Sequence, residues 1–153
     1  MSSFNYDRIF SCFLGKVTDY DLIQKTDANI VSELTEKLHS AIAKPYVRRL
    51  FSSIVMDDQL NTLSFAMKQS VSEEEDEDFV IELLGIGLVI EWLTPIVNST
   101  ININWYVTSN KESKYYSQSA HITQLRGMLD DAKKTQRDMI RDRGYIYNSY
   151  IGS

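Results

Sequence analysis

The chain of 153 residues has a single cysteine, Cys12, two prolines, six glycines and two histidines. One cysteine makes no internal disulfide, which excludes a disulfide-stapled scaffold and suits assembly in a reducing compartment. So little glycine and proline excludes collagen-like, linker-like and low-complexity sequence. With only His39 and His121 beside Cys12, no His/Cys/Asp cluster has zinc-ligand spacing and no nucleophile–base set can be assembled. Gly85-Ile86-Gly87 lies in an apolar run and lacks the later glycine and lysine of a phosphate loop, so it reads as a place where helices approach closely. The acidic run lacks the alternating ligands and turn glycine of a calcium loop. No catalytic apparatus, metal site or cofactor site is expected.

Asp7 and Arg8 interrupt the first residues before an apolar run of signal-peptide length forms, so no secretory signal is expected. The most apolar stretch, Phe79 to Leu93, carries Glu82 and Glu91 and falls short of the roughly 20 residues of a membrane span. It reads instead as a buried central helix, with no membrane contact.

What is present is helical periodicity. Tyr6, Ile9, Phe10, Phe13 and Leu14 recur at separations of three and four, predicting a helix over Phe4–Leu14 that Gly15 stops. Asp27 is a candidate N-cap for a second helix, whose face is Ile30, Val31, Leu34, Leu38, Ala41 and Ile42, with Pro45 at its end. Tyr46 to Val55 reads as a further short helix. In Met56–Ser70 the alternation of Leu63, Phe65 and Met67 with small polar residues is a weak strand signal, and a helix fits nearly as well.

Ser72 and Glu75 have capping-box spacing, so the acidic run Glu73, Glu74, Glu75, Asp76, Glu77 and Asp78 reads as the start of the apolar helix. Pro95 is expected to end or restart that helix. Asn98 to Gln118, with Trp105, Tyr106, Tyr115 and Tyr116, reads as part helix and part loop. Ile122, Leu125, Leu129, Ala132, Gln136 and Met139 then form a heptad-like seam with one polar member. Ser117 or Ser119 would cap this long last helix and Gly144 would end it. The expected fold is mainly α: a small helical bundle over residues 1–143 with a long C-terminal helix, followed by an extended C-terminal arm, residues 144–153.

Charge is unevenly distributed. Residues 1–78 hold 8 basic and 14 acidic groups, whereas residues 111–153 hold 8 and 5. On the last helix Lys133, Lys134, Arg137 and Arg141 form a basic stripe. Mixed-sign helix surfaces are common, so the stripe reads first as a solvated face shared with Asp130, Asp138 and Asp142, with phosphate or a neighbouring subunit as the alternatives. A chain with an acidic front and a basic rear can associate head to tail, closing a ring where the rotation permits. Of the nine tyrosines, Tyr145, Tyr147 and Tyr150 fall in the last nine residues. Together with Ile146 and Ile151 they read as an interface arm, because tyrosine brings a large apolar body and one polar tip.

Three groups of residues carry a family resemblance: Phe13-Leu14 with Asp19-Tyr20-Asp21; Trp92-Leu93-x-Pro95 with Asn98-Ser99; and Tyr116-Ser117 with His121 and Leu125. In these the chain resembles the small neck proteins of tailed bacteriophages, the head–tail connectors or adaptors that sit below the portal. The resemblance spans most of the chain, and residues 46–78 match least. It implies a non-enzymatic virion protein in the neck between capsid and tail, assembled in the host cytoplasm. It implies a homo-oligomeric ring, commonly of twelve copies, contacting the portal protein and the next neck or tail-completion protein. DNA would pass through that ring without sequence-specific binding. Apart from the resemblance, charge allows the acids Glu73 to Asp78 to face the channel or rim, where they would repel phosphate, and equally to form an exposed helix cap outside the channel. The competing reading is a nucleic-acid-binding module using the basic stripe.

Overall fold

The structure is a computed structural model that describes residues 2–17, 27–107 and 112–146. The elements run β1 (Ser2–Asn5), α1 (Tyr6–Lys16), α2 (Asp27–Ala43), α3 (Pro45–Arg48), β2 (Phe51–Asp57), β3 (Thr62–Met67), α4 (Glu73–Val107) and α5 (Glu112–Ile146). The protein is mainly helical, with a small three-stranded sheet beside the helices.

Helix α4 is the hub. It packs against α1, α2 and α5, and its side chains Val80, Leu83, Leu84, Leu88 and Leu93 are fully buried. By length and composition Glu73–Asn98 could cross a membrane, but most of it is buried inside the fold. Two glycines permit the close packing. A Cβ on Gly85 would stand 2.6 Å from Cys12 Sγ of α1, and one on Gly87 would stand 3.1 Å from the Ala41 Cβ of α2. The Gly85-Ile86-Gly87 run thus lets two helices approach the same stretch of α4.

The sheet has the order β1-β3-β2 and is antiparallel throughout. Ser2 to Asn5 pair with Phe65 to Thr62, and β2 pairs with β3 from Phe51↔Met67 to Asp57↔Thr62, with a bulge between Phe51 and Ser53. Leu63, Phe65 and Met67 all point inward and are buried, so the alternation in the sequence is a strand's. Phe65 sits between Phe4 and Phe51 in edge-to-face contacts at 5.7 and 6.0 Å. These rings belong to the same core as the helices. The β2–β3 turn is held by Asp57, whose carboxylate accepts from the N–H groups of Gln59 and Leu60, and by Asn61 at φ 51°.

Several boundaries differ from those expected. Phe4 belongs to a strand, and α1 starts at Tyr6 because the Asn5 side chain accepts from the Asp7 N–H. That helix runs through Gly15 and stops at Lys16, where Val17 turns extended. The helix expected over Tyr46–Val55 is cut to one turn. Its second half is β2, because Ile54 and Val55 favour extended backbone and find partners on β3. Pro95 lies inside α4 rather than ending it. It removes one backbone bond, but Trp92, Leu93 and Val97 are buried on either side and hold the helix together.

The last helix starts at Glu112, so Ser117 and Ser119 lie within it. No proline or glycine interrupts that first stretch, and Glu112 suits the positive helix end. It also continues past Gly144 to Ile146. The extended arm expected from residue 144 is therefore helical backbone at Tyr145 and Ile146. The physical reason lies one residue earlier, where Arg143 is anchored to the start of α4.

Candidate assembly surfaces

Helices α4 and α5 run antiparallel. The seam residues Leu125, Leu129, Ala132, Gln136 and Met139 face the core, with Leu129 and Gln136 buried. Gln136 is accommodated because its amide donates to the Leu83 carbonyl at 3.5 Å, beside Gly87. The side chain of Ile122 lies outside the described residues.

The two helices are fastened at one end by a buried ion pair. Arg143 Nη2 donates to Asp76 Oδ1 at 2.7 Å and to the Gln69 carbonyl at 3.0 Å. Asp76 also accepts from the Ser70 hydroxyl and the Val71 N–H, and the guanidinium lies 4.4 Å from the Phe79 ring centre. Burial by itself would raise the Asp76 carboxyl. The hydrogen bonds from Ser70, Val71 and Arg143, with the arginine's charge, outweigh it and hold the group below its ordinary value.

This pair corrects the reading of the acidic run. Asp76 is 4% exposed, turned into the fold rather than onto its surface. Glu77 is half-buried and pairs with Arg8 at 3.3 Å. Glu73, Glu74, Glu75 and Asp78 are exposed and make no ion pair among the described residues. Ser72 does cap the helix, its hydroxyl accepting from the Glu75 N–H.

The basic stripe divides in the same way. Lys133, Lys134 and Arg137 are exposed with no ion pair among the described residues, whereas Arg141 is bridged by Asp138 and Asp142. The acidic start of α4 and the basic half of α5, far apart in sequence, are brought to the same end of the bundle by Arg143 and Asp76.

A second polar cluster was not legible in the sequence. Asp58, in the β2–β3 turn, accepts from the Tyr6 hydroxyl at 2.7 Å and faces His39 Nε2 of α2 at 2.8 Å. The hydrogen bonds from Tyr6 and His39 hold the Asp58 carboxyl below its ordinary value, and burial with the nearby acid raises the Tyr6 phenol. The cluster ties α1, α2 and the sheet together. No spacing along the chain announces it, because its three members come from three elements.

Cys12 is half-buried against α4, where its thiol donates to Glu82 at 3.3 Å and Lys16 bridges the same carboxylate. Burial first, then Glu82, pushes the thiol up to about 11, which makes it a poor nucleophile. An open cleft of about 570 Å³ lies alongside, lined by Asp7, Arg8, Ser11, Asp78, Ile81 and Glu82. Among the described residues no group of three His, Cys, Asp or Glu side chains could hold a metal ion.

The sheet provides a further surface. Among the described residues no strand pairs with the outer edge of β2, and Val55 on it is 57% exposed. Of the expected arm, Tyr147, Tyr150 and Ile151 lie outside the described residues, as do Asp19-Tyr20-Asp21 and the side chains of Ser99, Tyr116, Ser117, His121, Tyr145 and Ile146. Comparison with protein-family models, with curated proteins and with solved structures found no match.

Proposed function

We propose that the chain is a non-enzymatic structural protein of a tailed-phage virion, a head–tail connector that forms a ring below the portal. In this reading the ring continues the DNA channel and docks the next neck or tail protein. The observation that carries it is the resemblance in the Phe13-Leu14, Trp92-Leu93-x-Pro95 and Tyr116-Ser117 groups, of which Trp92 and Leu93 are core residues of the hub helix. Three features suit assembly: exposed acids at the start of α4 and exposed bases on α5 with no ion pair among the described residues, and an edge of β2 with no strand partner among them. Exposed charges of opposite sign on one chain can make heterologous contacts between copies, which close into rings when the rotation allows. The exposed acids Glu73, Glu74, Glu75 and Asp78 would sit at the rim or channel, where they keep phosphate from sticking.

The test is negative-stain imaging and native mass spectrometry of the chain mixed with its cognate portal. Rings that form on the portal support the reading. A chain that never joins portal, at any ratio, refutes it.

A second reading is favoured by one observation: Lys133, Lys134 and Arg137 are exposed without carboxylate partners among the described residues. Such a patch fits duplex phosphate, with binding that weakens steeply as salt rises. Arg137→Glu should weaken such binding, and no binding by the parent chain at low salt would remove this reading.

A further inference from the structure

We infer that the outer edge of β2 receives residues 147–153 of a second copy of this chain as an added antiparallel strand. The inference deepens the assembly reading by naming a surface that takes the arm.

The edge has the properties of an acceptor. In an antiparallel pair, alternate residues turn their N–H and C=O groups away from the partner, so the side of β2 facing away from β3 presents a row of donors and acceptors that no backbone group among the described residues matches. β2 is seven residues long and reads Phe-Ser-Ser-Ile-Val-Met-Asp. It lacks the lysine and proline that commonly block an exposed edge, and its only charge, Asp57, stands at its end. β1, on the other side of the sheet, has four residues and leads straight into α1, so it offers less. The apolar face of the sheet is also unfinished at this edge. Leu63 and Phe65 of β3 are buried, whereas Ile54 and Met56 of β2, beside them, are only partly covered.

The arm fits that edge in chemistry. Residues 147–153 carry no charged side chain. In an extended strand Tyr147 and Ile151 fall on one face and Tyr150 on the other. Tyr147 and Ile151 would complete the apolar face over Ile54 and Met56, and Tyr150 would lie beside Val55. Cross-strand aromatic and β-branched pairs are the stabilising unit of such sheets.

The place where α5 ends selects a second copy over the chain's own arm. Arg143 bonds the Gln69 carbonyl, and the neighbouring Lys68 N–H bonds the Leu50 carbonyl. Helix α5 therefore finishes at the Phe51 end of β2. From there a chain's own arm could only run parallel to β2. An antiparallel strand, the more stable pairing and the one used throughout this sheet, must enter at the Asp57 end and so come from another chain.

The experiment uses full-length chains carrying Cys12→Ala. One population has Val55→Cys, the other has Tyr150→Cys and is labelled with heavy nitrogen. The two are mixed, treated with a short bismaleimide and digested for mass spectrometry. The expected result is a light–heavy species joining position 55 to position 150, suppressed by excess synthetic peptide of residues 145–153. A control mixture with Ser32→Cys on α2 in place of Val55→Cys should give only background. No light–heavy crosslink in excess over the control would overturn the inference. Portal-bound rings in the absence of this crosslink would remove only the strand pairing. The crosslink in a chain that never joins portal would remove only the neck reading.

Discussion

Arg143 and Asp76 stand 67 residues apart in sequence and 2.7 Å apart in the fold, with both side chains under a tenth exposed. The pair closes the antiparallel α4–α5 hairpin at the end where the sheet and the end of α5 meet. A buried pair is not by itself a large source of stability, but breaking one leaves a charge without a partner. Arg143→Met and Asp76→Leu are therefore each expected to cost about 3–5 kcal/mol. The double variant should cost less than the two singles together, as read by urea unfolding in a double-mutant cycle. Additive losses would show that the pair is not coupled.

The same carboxylate sets a pH dependence. The Asp76 carboxyl lies below its ordinary value in the fold. Its contribution is thus fully present above the ordinary aspartate range and is lost as pH falls through the lowered value. Stability should decline on acidification below about pH 4, near the unfolded aspartate value. Asp76→Asn should flatten that decline, measured as unfolding free energy against pH. An unchanged slope would assign the acid sensitivity to other groups, Asp58 and Glu82 among them, which are also held low.

Gly85 is a packing requirement. Adding a methyl there drives it against Cys12, so Gly85→Ala should lower stability by about 1–3 kcal/mol. Cys12→Ala in the same chain should recover part of this by removing the sulfur, with thermal unfolding as the readout. Gly87→Ala should be milder, because its nearest neighbours stand at 3.1 and 3.4 Å.

The Cys12 thiol should react slowly. With its pKa raised to about 11 by burial and by Glu82, little thiolate exists at neutral pH. Glu82→Gln removes the negative partner and should speed modification by a disulfide reagent several-fold at pH 8. An equal rate in the two chains would mean that access limits the reaction, not ionisation.

The helical faces were legible because they repeat locally. Leu34, Leu38, Ala41 and Ile42 are buried on α2 as their spacing requires, whereas Val31 of the same expected face is exposed, and the described members of the α5 seam pack on the core. Leu63, Phe65 and Met67 gave only a weak strand signal, which a helix fitted nearly as well, and their pairing with β1 and β2 settles it as a strand. The sheet as a whole was not legible, because β1 is too short to show a period and β2 carries Ser52 and Ser53 beside a bulge. The acidic run misled at one position. Six consecutive acids look alike in a sequence, yet helical rotation turns Asp76 inward toward Arg143 while Glu73, Glu74, Glu75 and Asp78 stay in solvent.

By itself the sequence determined the helical class, the hub helix and the absence of a recognisable catalytic motif, because periodicity and composition act over a few turns. Only the tertiary structure decided which charges are paired with one another. An ion pair depends on distance in space, and Asp76, Arg8 and Arg143 find partners across 67 to 69 residues of chain. It also decided that β2 lies at the edge of the sheet among the described residues, near the end of α5. That follows from strand order and helix direction, which no local pattern encodes.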